Sequence, residues 1–217
     1  MMRKIIVLSF MLMLAWSVFA QQTSDKAKEI LTQTSTTYKE SGTLSVFYTM
    51  HIKDTKENVS ESFDGVIDIK GTKMHINTPD MEIWFDGKTQ WIWQREYEEL
   101  TISQPVEEEI NIMNPSLVID AYRENAVLKY LGEKTDIRGR KVHEIELVPN
   151  DKNSDISKIV VQISEKRSYI YKIYILNKNN IENTIHIDQY TIHAGHKDSL
   201  FICDTSKFPD AEIIDLR

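Results

Sequence analysis

Leu44, Val46, Tyr48, Met50 and Ile52 alternate with Ser45, Thr49 and His51, and an apolar residue at every second position marks a strand with one buried face. The same period runs through Phe63, Gly65, Ile67 and Ile69, then Met74/Ile76, Ile83/Phe85 and Trp91/Trp93. Glu99 to Ser103 is predicted as another strand. Asp86-Gly87 falls between two of these runs and predicts a two-residue type I′ hairpin, which needs φ > 0 at both central residues. Ahead of the strands the period differs. Ala27, Ile30, Leu31, Thr34 and Tyr38 recur at helical spacing, with Ser24 or Thr23 as cap and Gly42 as stop.

Pro105 ends the first run of strands, and Glu107-Glu108-Glu109 leads to Asn114-Pro115. Asn is a good N-cap and Pro a good first helical residue, so a second helix is predicted to about Arg123. It places Leu117, Val118, Ala121 and Tyr122 on one side. The period of two then returns in Val142 to Leu147, Ile159 to Ile163, Tyr169 to Leu176 and Thr184 to Ile192, with a polar hairpin loop at Asn177 to Asn180. The sum is a mainly β chain (α+β) of about ten or eleven strands in meander order, with a leading and a mid-chain helix. So long a sheet must curl, and the helices are the available covers for its apolar concave face.

The ends and the charge narrow the possibilities. Residues 1–20 read as a signal peptide: Arg3 and Lys4, an uncharged run from Ile5 to Phe19, and small residues at Val18 and Ala20. That run is too short for a membrane span. Residues 21–217 then form one domain, exported and without a lipid anchor, since Gln21 rather than Cys follows the expected cut. The lone Cys203, beside Leu200, Phe201 and Ile202, is expected as a buried thiol on a strand. With a formal charge of −7 and cations scattered along the chain, neither nucleic acid nor an anionic membrane surface is expected as the main partner.

Candidate chemistry is sparse. The seven glycines form no phosphate-binding or dinucleotide-binding loop. His186, His193 and His196 with Asp188 are the one grouping that suggests a metal, but strand parity sends His186 and His193 to opposite faces. Glu107 to Glu109 and the cluster Glu96, Glu98 and Glu99 read as solvated connections, because nothing nearby would separate their pKa values. No catalytic residue, metal or cofactor is expected, and the chain is read as a non-enzyme. Trp84, Trp91 and Trp93 serve either as core filling or as the lining of a ligand cavity.

The block from Phe63 to Trp93 resembles the outer-membrane lipoprotein carrier family (LolA). The resemblance rests on a Gly-centred strand, a second strand ending near Thr78-Pro79-Asp80, and the hairpin Trp84-Phe85-Asp86-Gly87-Lys88-Thr89-Gln90-Trp91. It extends to the leading helix, the Asn114-Pro115 helix and Phe208-Pro209. It implies a curved, unclosed antiparallel β-barrel under a helical lid, which holds lipoprotein acyl chains in the periplasm. With apolar parity as the guide, the cavity residues are Leu44, Val46, Tyr48, Met50, Ile67, Ile69, Met74 and Ile76, and the lid residues are Leu117, Val118, Ala121 and Tyr122. Many members carry Arg-Pro after the Gly-centred strand, and that Arg helps latch the lid. This chain has Gly71-Thr72 after Lys70, so its latch is built differently or missing.

The partners so implied are acylated lipoproteins, an inner-membrane ABC-type extractor and an outer-membrane acceptor, with the carrier itself a monomer. The alternatives are an envelope sensor or regulator, or a general lipid-binding protein, on the same fold.

Overall fold

The computed structural model describes residues 24–106 and 114–217, so the expected signal peptide and Glu107 to Glu109 lie outside the described residues. Helix α1 spans 24–40 and α2 is Pro115–Asn125. Strands β1 (Thr43–Asp54), β2 (Val59–Lys70), β3 (Lys73–Asn77), β4 (Met81–Phe85), β5 (Gln90–Gln94) and β6 (Glu99–Ser103) precede α2. After it come β7 (Ala126–Thr135), β8 (Lys141–Pro149), β9 (Ile156–Ser164), β10 (Ile170–Asn177), β11 (Ile181–Ile192) and β12 (Glu212–Asp215). All twelve form one curved, unclosed sheet in the order β12-β6-β5-β4-β3-β2-β1-β11-β10-β9-β8-β7. Every meander neighbour is antiparallel, and only β12 runs parallel to its neighbour β6.

Two strands escape the hydrophobic pattern. β7 starts at Ala126 directly from the end of α2, with no glycine or proline to mark the change of period. β12 is a four-residue edge strand, too short for alternation to show. A third difference concerns Cys203. It is buried, but it follows a 3-10 turn at Asp198–Phe201 and lies in no strand. At the Asp86-Gly87 hairpin, Asp86 N–H donates to the Thr89 carbonyl, which makes Gly87-Lys88 the central pair. Only Gly87 has positive φ (+101°), so the turn is Gly-first rather than type I′. The Asp86 carboxylate instead accepts from the N–H groups of Lys88 and Thr89.

Register fixes which face is inner. Val46 pairs with Ile67, Ile67 with Ile76, Ile76 with Ile83 and Ile83 with Ile92, giving one apolar row across five strands. Leu44, Ile69, Met74 and Phe85 make the next row. Beyond β11 the rows continue through Ile173, Val161 and Ile145, and through Ile175, Ile159 and Leu147. A one-residue slip anywhere would turn a whole strand's apolar set to solvent.

The outer face carries its own small core. Trp84, Leu100 and Cys203 are buried together, with Trp91, Trp93, Phe208 and Ala211 against them. The Phe208 ring centroid lies 4.7 Å from that of Trp93 and 6.0 Å from that of Trp84. The three tryptophans therefore fill core beneath the C-terminal segment, on the face away from the helices.

Gly65 has a specific packing role. It sits opposite Tyr48, and a Cβ built there would lie 2.5 Å from the Tyr48 Cζ and hydroxyl oxygen. The ring thus lies across the bare glycine, and its burial pushes the phenol up to about 12. Gly65→Ala is expected to displace this ring at a cost of about 1–3 kcal/mol. Urea denaturation checks it: Tyr48→Ala should recover much of the loss in the double variant, and additive losses would refute the clash.

Candidate functional site

Helix α1 buries Ala27, Ile30, Leu31, Thr34 and Tyr38, the stripe expected from its spacing. Its C-terminal end is fixed by two hydroxyl pairs. Tyr190 donates to the Ile170 carbonyl at 2.7 Å, so its oxygen accepts from Tyr38, 2.6 Å away. Tyr38 in turn accepts from Ile170 N–H, and the Ser41 hydroxyl lies 2.5 Å from that of Tyr169. Burial drives the Tyr38 and Tyr190 hydroxyls far above the ordinary phenol range, so they stay neutral donors and acceptors.

Helix α2 is held differently. Its buried side chains are Val118, Ile119 and Tyr122, with Leu117 and Ala121 half-buried against the same core. Three polar contacts join it to α1. The Ser35 hydroxyl donates to Asp120 at 2.7 Å, Lys39 lies 3.0 Å from the other Asp120 oxygen, and Lys28 pairs with Glu124 at 2.8 Å. Burial alone would raise the Asp120 pKa, but the Ser35 hydroxyl and Lys39 outweigh it and hold the carboxyl below the usual range. Gly71-Thr72 stands where the resembled family carries its latching Arg-Pro, and the preceding Lys70 pairs with Asp198 at 2.6 Å. Polar contacts between α2 and α1 in this chain run through Asp120 and Glu124.

Of the residues expected to line a cavity, Leu44, Val46, Ile67, Ile69, Met74 and Ile76 are buried in one cluster with α1 and α2, and Tyr48 packs against it. Met50 shares the inner face, opposite Ile185 and Phe63, but is half-buried and not in that cluster. The four expected lid residues join it, together with Ile119, which the sequence reading passed over. So do Ile145, Ile159, Val161 and Ile173 from the second half of the sheet. Their strands were legible from alternation, but nothing in the sequence said that they share a hollow with β1 and β2. Among the described residues, α1 and α2 both pack against this inner face.

On the outer face a polar network lies under the C-terminal segment. His75 sits between two carboxylates, with Nδ1 3.4 Å from Asp68 and Nε2 2.9 Å from Glu82. His196 Nε2 reaches the other Asp68 oxygen at 3.1 Å and the Ser45 hydroxyl at 3.0 Å. Burial pulls the His75 pKa down, but its hydrogen bonds to Asp68 and Glu82 outweigh that and hold it above 6.5. Burial likewise would raise Asp68, and the bonds from His75 and Ser45 instead hold it below 3.8. The His75 contribution to stability is therefore complete below pH 6.5 and is lost as pH rises through its higher folded value. That of Asp68 is complete above pH 3.8 and is lost as pH falls through its lower folded value. The wild type should thus lose more stability than His75→Gln between pH 5.5 and 8.5 in urea titrations. Parallel pH profiles for the two would contradict this.

The histidines considered for a metal are dispersed. His196 belongs to the network just described, the His186 ring stacks edge-on to His51, and His193 sits in a turn with φ +54°. Asp188 is the extra residue of a β-bulge between β1 and β11 and is ion-paired with Arg138. An open hollow of about 570 Å³ beside it is lined by outward-facing Phe47, Thr49, Asp64 and Val66, a mixed polar surface unlike the inner face. Glu96, Glu98 and Glu99 lie at the β5–β6 turn.

An open, curled sheet under two helices defines the chain as one of the LolA-like folds. The family model described as outer membrane lipoprotein carrier protein LolA matches residues 16–178, and the chain belongs to that family. Among solved structures it is similar to an uncharacterized conserved protein from Thermus thermophilus, with 11% identity, 88% of this chain and 99% of that one covered, and a TM-score of 0.58. It is also similar to a LolA superfamily protein from Nitrosomonas europaea (10% identity, 82% and 98% covered, TM-score 0.45) and to LprF from Mycobacterium bovis (14% identity, 80% and 98% covered, TM-score 0.46). No curated protein sequence matches the chain. Among the described residues, no helix is long and apolar enough to cross a membrane.

Proposed function

We propose that this protein is a periplasmic carrier that takes lipoprotein acyl chains between its curved sheet and its helical cover and shuttles them from the inner to the outer membrane. The observation that carries the reading is the continuous apolar inner face, roofed by a helix tied down through polar groups at its rim. Cavity and lid are the residues named from the sequence, extended by Ile119, Ile145 and Ile173. Burying acyl chain is worth about 0.8 kcal/mol per methylene, so one sixteen-carbon chain represents roughly 10 kcal/mol gross. Helix contacts that must break before lipid enters offset part of this and make release feasible. The work is binding rather than catalysis. Its partners are acylated lipoproteins, an ABC-type extractor as donor and an outer-membrane acceptor, and the form that meets them is the exported chain after cleavage at Ala20.

The test is release of lipoproteins. Purified protein lacking residues 1–20 is incubated with spheroplasts of its own cells, and the soluble fraction is probed for acylated lipoproteins. ATP-dependent release supports the carrier. Binding of a fluorescent acyl probe without any release would point to a sensor or a carrier of another lipid.

A further inference from the structure

Cations that are scattered along the sequence meet in space at two turns. Residues 136–141, the β7–β8 turn, and residues 164–167, opening the β9–β10 turn, hold Arg138, Arg140, Lys141, Lys166 and Arg167 against only Asp136 and Glu165. Between the turns is a hollow of about 650 Å³, lined by Gly139 to Lys141, Ser164 to Arg167 and Tyr171. Two of the arginines are already committed. Arg140 pairs with Asp136 at 2.6 Å and stacks on the Tyr171 ring at 3.6 Å, while Arg138 ties the turn to Asp188 of β11. The side chains of Lys141, Lys166 and Arg167 are exposed and make no hydrogen bond or ion pair among the described residues. They form a cationic hollow on a braced turn.

The tip of that turn is Ile137, which is 81% exposed. A lone, fully presented isoleucine beside unpaired cations does not suit a free phosphate, which offers nothing to an apolar side chain. Nor does a patch of about ten residues suit a stable protein interface, which takes about 20–30 residues a side. It does suit a leaflet, where apolar side chains enter the headgroup boundary while Lys and Arg meet lipid phosphates. The acidic excess of the rest of the chain does not oppose this, because charges beyond about 8 Å are screened at physiological salt.

We propose that the β7–β8 and β9–β10 turns are a membrane-docking face, with Ile137 set into the interface of an anionic leaflet and Lys141, Lys166 and Arg167 on lipid phosphates. The face goes beyond the carrier reading and works whether or not acyl cargo is bound. It would bring an exchanging carrier to the bilayer.

Sedimentation of the full chain after cleavage with vesicles tests it, using phosphatidylcholine alone and phosphatidylcholine with 30% phosphatidylglycerol. Each basic side chain near an anionic surface strengthens binding roughly fivefold. The variant Lys141→Ser/Lys166→Ser/Arg167→Ser should therefore bind the anionic vesicles about 100-fold more weakly. Ile137→Ser should weaken binding about tenfold at high and low salt alike, as loss of an apolar contact does. The control Lys53→Ser/Lys56→Ser/Lys152→Ser changes net charge equally at the opposite ends of the strands and should bind like the wild type. Equal binding to neutral vesicles, or equal loss in the control, overturns the proposal. Full competition by inorganic phosphate with no effect of Ile137→Ser also overturns it and leaves a small-anion site. An acyl-probe titration of the same samples keeps the outcomes apart: vesicle binding without probe binding fails the carrier reading alone.

Discussion

Joining α2 to α1 is expected to abolish acyl uptake. Ser35→Cys/Asp120→Cys replaces the 2.7 Å hydrogen bond between the helices with two thiols that a short bis-thiol reagent can bridge. Cys203 will not interfere, since it is buried and its burial pushes the thiol up to about 11. The bridged protein should stay folded and take no fluorescent acyl probe, while the unbridged variant should bind at least as well as the wild type. The physical reason is the contrast between the helices. α1 is fixed by the buried hydroxyl pairs Tyr38–Tyr190 and Ser41–Tyr169, whereas α2 is joined to α1 through the partly exposed Asp120 and Glu124. Loss of one such charge-assisted bond is worth about 1–2 kcal/mol, which favours the open form about five- to thirtyfold. Asp120→Ala alone should therefore tighten probe binding. Unchanged probe uptake by the bridged protein would rule out movement of α2 away from α1.

Ile67→Glu is expected to cost the fold as well as the ligand. Ile67 is 3% exposed and lies between Val46 and Ile76 in the central apolar row, so a carboxylate there would have no partner. A buried glutamic acid is held neutral, with a folded pKa of roughly 8–9 against about 4.3 unfolded. Protonating it at pH 7 costs about 1.4 kcal/mol for each unit above 4.3, or roughly 4 kcal/mol. The sign follows: the penalty is absent below about pH 4.3 and grows as pH rises toward the folded pKa. Urea midpoints should accordingly lie below those of the wild type near pH 4, by the pH-independent cost of burying an unpaired carboxyl, and fall much further below them at pH 7. A variant equally stable at both would mean that this side chain reaches water. Ile67→Ala, at about 2–5 kcal/mol and without a pH dependence of its own, separates loss of shape from charge.

Alternation made most of the sheet legible because a strand with one buried face writes a period of two into the chain. Rows such as Val46–Ile67–Ile76–Ile83 follow from that period once the hairpins set the register. α1 and α2 were legible for the same reason at a period of 3.6, down to the Asn114-Pro115 start. β7 and β12 were not, because one begins without a break residue and the other spans four residues. The candidate site was half legible. Parity named Leu44, Val46, Ile67 and Met74, but Ile145, Ile159 and Ile173 join them only because an open sheet curls.

Sequence by itself therefore determined the class of fold, the family, the two covering helices and the side chains that must leave water, since each is a local or periodic property. Tertiary structure decided what non-local geometry controls. It turned Trp84, Trp91 and Trp93 outward beneath the C-terminal segment, joined α2 to α1 through Asp120 and Glu124, and sent Lys70 to Asp198. It also gathered Lys141, Lys166 and Arg167 from two separate turns into one face. Coulombic neighbours are set by distance in space, and the linear order of charges in a meander does not reveal it.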